Sequence, residues 1–129
     1  MKIVRIVSGI IIMLMLAGIG ALYFLIDLDV KRNIRTAQDK YPGKAEDALI
    51  AYLLDTANTP YDRTHIGVWT LGQIKSEKAA PVLEQLYKND PEGTTFKGKH
   101  DSVLCQYELY KALHASQVNW LPLHARLNR

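Results

Sequence analysis

Residues Val68 to Leu86 read VWTLGQIKSEKAAPVLEQL. Val68, Leu71 and Ile74 recur at helical spacing, and Val82, Leu83 and Leu86 do so again beyond a polar break at Lys75 to Lys78. A glycine, Gly72, lies in the first helix, and a proline, Pro81, near the start of the second. Mid-helix glycine costs about 1 kcal/mol relative to alanine, so its use here points to a neighbouring helix that must come close. Proline in a first turn loses at most one backbone hydrogen bond and can bend the helix. Both residues suit tightly packed antiparallel helices joined by a short turn, with Ser76 as N-cap of a segment from Glu77 to Tyr87.

Upstream, Asn58-Thr59-Pro60-Tyr61-Asp62 is a helix start. Thr59 suits the N-cap, Pro60 the first helical position, and Asp62 stands three residues after the cap. The helix it opens is predicted to run to Ile74 with Gly67, Val68, Leu71 and Ile74 buried. A segment from Ala45 to Thr56 precedes it, with Ala45, Ala48, Leu49, Tyr52 and Leu53 on one face. Downstream, Asn89 to Gly93 marks a stop and Thr94 to His100 a polar loop. Asp101 or Ser102 then caps a fourth segment, Val103 to His114, with Val103, Tyr107, Tyr110 and Leu113 inward. No alternating strand pattern occurs; Thr94-Thr95-Phe96 is too short to count.

The second and fourth segments correspond at an offset of 39 residues, which sets Val68, Leu71 and Ile74 against Tyr107, Tyr110 and Leu113. A two-helix unit used twice with a period near 40 indicates a helical solenoid. The residues Leu71-Gly72-Gln73-Ile74, followed by Ala79 or Ala80, Pro81, Leu83 and Leu86, resemble the bacterial HEAT-repeat signature. The likeness is strongest over residues 63–90 and weaker over 45–56 and 103–113, where Tyr110-Lys111 replaces Leu-Gly. It implies an all-α fold: a short HEAT-like α-solenoid of two helix pairs. It also implies a scaffold that binds a protein or peptide, since most members are of that kind. A subset resembling phycobilin lyases handles tetrapyrrole chromophores. A fold of this kind says little by itself about ligands.

Ahead of the repeats, Ile6 to Ile26 contains 21 consecutive residues without a charge. As a helix this run is roughly 30 Å long, the thickness of a bilayer core. Lys2 and Arg5 make a positive start of the kind found in signal peptides. However, the apolar run continues through Leu22 to Ile26 past the small residues Gly20-Ala21, which points to an uncleaved anchor. Val30, Ile34, Ala37 and Tyr41 continue at helical spacing as an amphipathic stalk, until Pro42-Gly43 stops it. The expected organisation is an anchor over residues 1–26, a stalk over 27–43, the repeats over 44–117 and a capping tail over 118–129. Two repeats are fewer than the three usually needed, so the stalk, the tail (Trp120, Leu121, Leu123, Leu127) or a second copy must cover the ends. Ala17 and Ala21 form a small-xxx-small pair that can favour a homodimer.

Sidedness is contested within the sequence. Lys31, Arg32, Arg35, Lys40 and Lys44 outnumber Lys2 and Arg5, which read strictly keeps the domain in the cytoplasm. The positive N-terminus is that of an ordinary signal-anchor, and on this ground the domain is expected outside the cytoplasm of a bacterial cell. Without Lys2 and Arg5 the chain has 14 basic and 13 acidic residues, and no basic stripe interleaved with aromatics, so nucleic acid is not an expected partner. The single cysteine, Cys105, excludes an internal disulfide.

No cofactor, metal or catalytic group is expected. His100, Cys105 and His114 lack ligand spacing, and no Ser/His/Asp set, paired inward carboxylates or glycine-rich phosphate loop is present. The expected binding residues line the groove formed by the second helix of each unit: His65, Trp69 and Gln73, then Leu104, Glu108 and Lys111. Trp69 is the chief of these, since an aromatic among polar neighbours is a typical anchor. The bland alternative is that Trp69 packs on the adjacent helix.

Overall fold

A computed structural model of the chain describes residues 2–94 and 102–115. Its first element, α1, is one unbroken helix from Lys2 to Lys40. It is followed by α2 (Ala45–Leu54), α3 (Pro60–Asp62), a π-helical segment (Arg63–Val68), α4 (Trp69–Gln73), α5 (Ala80–Leu86) and α6 (Gln106–Ala115). From α3 to α4 the backbone does not leave helical geometry, so residues 60–73 form one central helix. Among the described residues there is no strand.

The start of the central helix is as the sequence reads. Thr59 Oγ1 accepts from the Asp62 amide at 3.1 Å and donates to Asp62 Oδ2 at 2.8 Å, with Pro60 in the first turn. Its end closes with the Ser76 amide donating to Leu71 O at 3.1 Å and the Lys75 amide to Gly72 O at 3.2 Å, a Schellman closure. Lys75 adopts φ +53° to make it, a conformation usually left to glycine. Ser76 Oγ then accepts from the Ala79 amide at 3.2 Å. The next helix begins three residues later than the sequence suggests, at Ala80, because residues 77–79 form a turn. Pro81 sits in its first turn, where no hydrogen bond is lost.

One core joins all of these pieces. It holds Val30 and Ala37 of α1, Ala48, Leu49, Tyr52 and Leu53 of α2, Val68, Leu71 and Ile74, then Ala79, Leu83, Leu109 and Ala112. The predicted faces of α2 and the central helix are therefore the observed ones. Residues 26–41 are more than a stalk: Ile26, Ile34 and Tyr41 pack on this core beside Val30 and Ala37, making α1 a wall of the module. Far from the N-terminus, Tyr41 donates to Asp55 and Lys40 to Asn58, whose Nδ2 in turn donates to Tyr52 O at 2.9 Å.

Gly72 performs the role its position suggests. A Cβ added there would lie 3.0 Å from Ala112 Cα and 3.1 Å from Ala112 Cβ, so α6 crosses almost in backbone contact. Gly67 does the same for α2, with Leu53 Cβ at 3.0 Å.

The face of α6 corrects the 39-residue correspondence. Tyr107 is 47% exposed and Tyr110 and Leu113 are only partly buried, whereas Gln106, Leu109 and Ala112 face the core. The helix is turned by one residue from the expected register. Gln106 makes this possible. Its Nε2 donates to Leu86 O at 3.2 Å and its Oε1 accepts from the Lys88 amide at 2.6 Å, so a buried amide closes the end of α5. The expected helix start at Val103 moves to Gln106. The tail over 118–129, the loop residues 95–100 and the cap candidate Asp101 lie outside the described residues.

From Ile3 to Lys40, α1 is long and apolar enough to cross a membrane, with a mean hydropathy of 2.5 in its most apolar window and none of that window buried. Among the described residues, all large exposed apolar side chains except Leu54, Tyr61 and Tyr107 belong to it.

Candidate functional site

Four of the six groove residues come together. Trp69 and Gln73 of the central helix face Glu108 and Lys111 of α6 across a pocket of about 110 Å³, floored by Gly72 and Ala112. The floor follows from the close crossing at Gly72: two small residues let the backbones meet, and the larger side chains on either side become walls. Lys111 is held at 2.7 Å by Glu108 and lies 4.7 Å from the Tyr107 ring centre, so the rim is an internally paired ion pair beside an aromatic. Trp69 is half-buried. It packs against the core and also lines the pocket, so the anchor and packing readings both apply to it.

The remaining two residues lie elsewhere. Leu104 packs partly buried against the core and does not line this pocket. His65 points away from α6. Its ring stacks on Tyr61 at 4.2 Å, four residues earlier on the central helix.

That pair belongs to a second pocket, of about 370 Å³, between α1 and the central helix. Asp29, Arg32 and Asn33 of α1 line one side, and Tyr61, Asp62, His65 and Trp69 the other. Trp69 is thus shared by both pockets. Asn33 fixes the two helices together: its Nδ2 donates to His65 O at 3.2 Å and to Thr70 Oγ1 at 3.0 Å. Arg32 is bridged to Asp29 at 2.9 Å, one turn back. The contact of Lys40 with Asn58, just before the central helix, and of Asn33 with Thr70 near its end sets the direction. The central helix descends along α1, so Tyr61 and Asp62 lie farther from Ile26 than Trp69 does.

The π-helical turn places these side chains. The Trp69 amide donates to Thr64 O, five residues back, where an α-helix would use His65. The extra residue rotates everything beyond it, which puts Trp69 between the two pockets. Buried Thr64 also accepts from the Cys105 amide at 3.2 Å, tying the entry to α6 to the same turn. None of the α1 pocket residues except His65 and Trp69 was read from the sequence as a site. The i, i+4 spacing of Tyr61 and His65 was the available signal, because that spacing stacks rings on a helix.

Around Asp55 the electrostatics are structural. The Tyr41 hydroxyl, the Ala57 amide and Lys40 hold its carboxyl below the ordinary range. Burial opposes the Lys40 ammonium, but Tyr41 and Asp55 outweigh it and raise its pKa. Burial raises the Tyr52 hydroxyl. Among the described residues no group of three His, Cys, Asp or Glu side chains could hold a metal ion. Cys105 is buried and unpaired by disulfide. Comparison with protein-family models, with curated proteins and with solved structures gives no match.

Proposed function

We propose that the chain is a single-pass membrane-anchored helical module that binds a protein or peptide through the groove between the central helix and α6, without catalysis. The observation that carries this reading is the Trp69 pocket. An aromatic fixed on one side by the core and open on the other, with a charged rim and a small-residue floor, fits one inserted side chain of a partner. The pocket lies well below the roughly 300–1,000 Å³ of small-molecule sites, which favours a peptide over a chromophore in this groove. α1 is the anchor: its apolar surface over residues 3–28 is exposed, as a lipid-facing surface would be.

The arrangement is further read as a short HEAT-like solenoid. α2 with the central helix would form one pair and α5 with α6 the other, supported by the contacts within each pair and between the central helix and α6. The domain is placed outside the cytoplasm on the strength of the positive N-terminus. A homodimer through Ala17 and Ala21 belongs to the same reading, since both lie on the exposed surface of α1.

A photo-crosslinker at Gln73 of the full chain, activated in intact cells, tests the groove. A stoichiometric protein adduct is expected, and Trp69→Ala should weaken it by roughly 30-fold, the equivalent of a 2 kcal/mol hot spot. Adduct formation indifferent to Trp69 would refute the groove.

A further inference from the structure

The pocket between α1 and the central helix is not used by the groove reading. We propose that it binds the headgroup of a phospholipid bearing a primary amine, phosphatidylethanolamine, drawn from the bilayer that holds α1; the inference rests on the membrane reading of α1.

Depth is the first argument. Arg32 stands six residues beyond Ile26, about 9 Å along the helix axis. The headgroup layer occupies roughly 5–8 Å outside the hydrocarbon core on each face, so the Arg32 backbone lies just beyond it and the side chain has to reach back to a phosphate. Helical side chains lean toward the N-terminus, which for α1 is the membrane end, so Asp29 and Arg32 incline toward lipid. The Arg32 side chain is 73% exposed. An exposed ion pair such as Arg32–Asp29 is weak, and a phosphate can replace the carboxylate with a two-pronged guanidinium contact.

The order of charges is the second. Moving away from the membrane, the pocket presents the Asp29–Arg32 pair, then Trp69 and His65, then Tyr61 and Asp62. A phospholipid presents its phosphate and then its amine. The cation therefore meets the phosphate, while the ammonium meets the Tyr61 and Trp69 rings and the Asp62 carboxylate. Asp62 accepts from Thr59 on one oxygen and, as a carboxylate, has further acceptor positions.

Selectivity follows from the balance. Asp29 and Asp62 against Arg32 leave the lining at −1 with histidine counted neutral, which disfavours a headgroup that is only anionic. A primary ammonium has three N–H donors for Asp62, whereas the quaternary ammonium of choline has none.

Native mass spectrometry tests the site. The full chain is released into detergent with equal amounts of phosphatidylethanolamine, phosphatidylcholine and phosphatidylglycerol. One phosphatidylethanolamine per chain is expected, retained at least about fivefold over either rival. Asp62→Asn should bring it level with phosphatidylcholine, and Arg32→Gln should lower retention of all three. Lys78→Gln, whose partner Asp47 lies on α2, should change nothing. Equal or greater retention of phosphatidylglycerol, or a preference that survives both pocket variants, overturns the proposal. Displacement of the lipid by millimolar glycerophosphoethanolamine overturns the bilayer as its source. Carbonate extraction separates the two readings. Loss of the chain from the membrane pellet refutes the anchor, whereas a pelleted chain with no lipid preference refutes the headgroup site alone.

Discussion

The central helix and α6 are packed against each other, yet they are buried in different ways. The central helix touches α1, α2 and α6. It buries Thr64, Gly67, Val68, Thr70, Leu71 and Gly72, which cover a broad arc of its circumference and leave Tyr61 and His65 exposed. Among the described residues α6 buries a single stripe, Gln106, Leu109 and Ala112, and leaves Tyr107 and Lys111 outside. A helix packed against three neighbours must satisfy its buried polar groups internally, and Asn33 and the Cys105 amide do this for Thr70 and Thr64. A helix with one seam can carry a binding rim on its free side. The groove arises where these two kinds of surface meet.

Substitutions can break that contrast. The largest effect is expected from Leu71→Ala, which removes a fully buried side chain from the central helix and should cost about 2–5 kcal/mol by chemical unfolding in detergent. Trp69→Ala should cost less, about 1–3 kcal/mol, because only part of the ring is in the core. A loss as large as that of Leu71 would make Trp69 a core residue and remove it from the groove. Gly72→Ala sharpens the contact itself. The new Cβ collides with Ala112, and overpacking of about 1–3 kcal/mol is offset by up to about 1 kcal/mol of helix propensity. Adding Ala112→Gly removes the Cβ at 3.1 Å but leaves the Cα at 3.0 Å, so it should recover little of the deficit; a Gly72→Ala chain as stable as the parent would mean the helices do not cross there.

A smaller effect is expected with pH. The carboxyl of Asp55 is held below its ordinary value of 3.8, so its contribution is fully present above that value and lost as pH falls through the lower folded-state value. The thermal midpoint should decline below about pH 4, and Asp55→Asn should flatten that decline. The least effect belongs to Tyr107→Ala, within about 0.5 kcal/mol, as for an exposed position. A large loss there would restore the face first expected for α6.

Much of this division was legible. The Thr59 cap, the Pro42-Gly43 stop, the inward faces of α2 and the central helix, and the purpose of Gly72 all rest on local rules that tertiary packing did not override. The face of α6 was not legible, because aromatic and leucine residues outweighed a glutamine in the pattern. Gln106 is buried only because two backbone partners, Leu86 and Lys88, wait at the end of α5, and no local pattern shows them. The π-turn was hidden for the same reason: one added residue in a helical turn leaves the spacing of apolar residues almost unchanged. Trp69, Gln73, Glu108 and Lys111, grouped by helical spacing, line one pocket. Leu104, placed by the repeat register, packs against the core and does not line that pocket, while the α1 pocket depends on Asn33 and Arg32, from a segment read only as a stalk.

The absence of any break between Lys2 and Lys40 has a mechanical consequence. With α1 in a bilayer, the module is clamped directly to the rod that spans it, from Ile26 to Tyr41, with no swivel between. A thinner membrane tilts a rod whose apolar length exceeds it, and spanning helices commonly lean by about 20°. Over the roughly 21 Å from Ile26 to Lys40, a 20° lean carries the outer end sideways by about 7 Å and turns the groove by the same angle. The thickness of the bilayer is thereby written into the direction in which Trp69 faces.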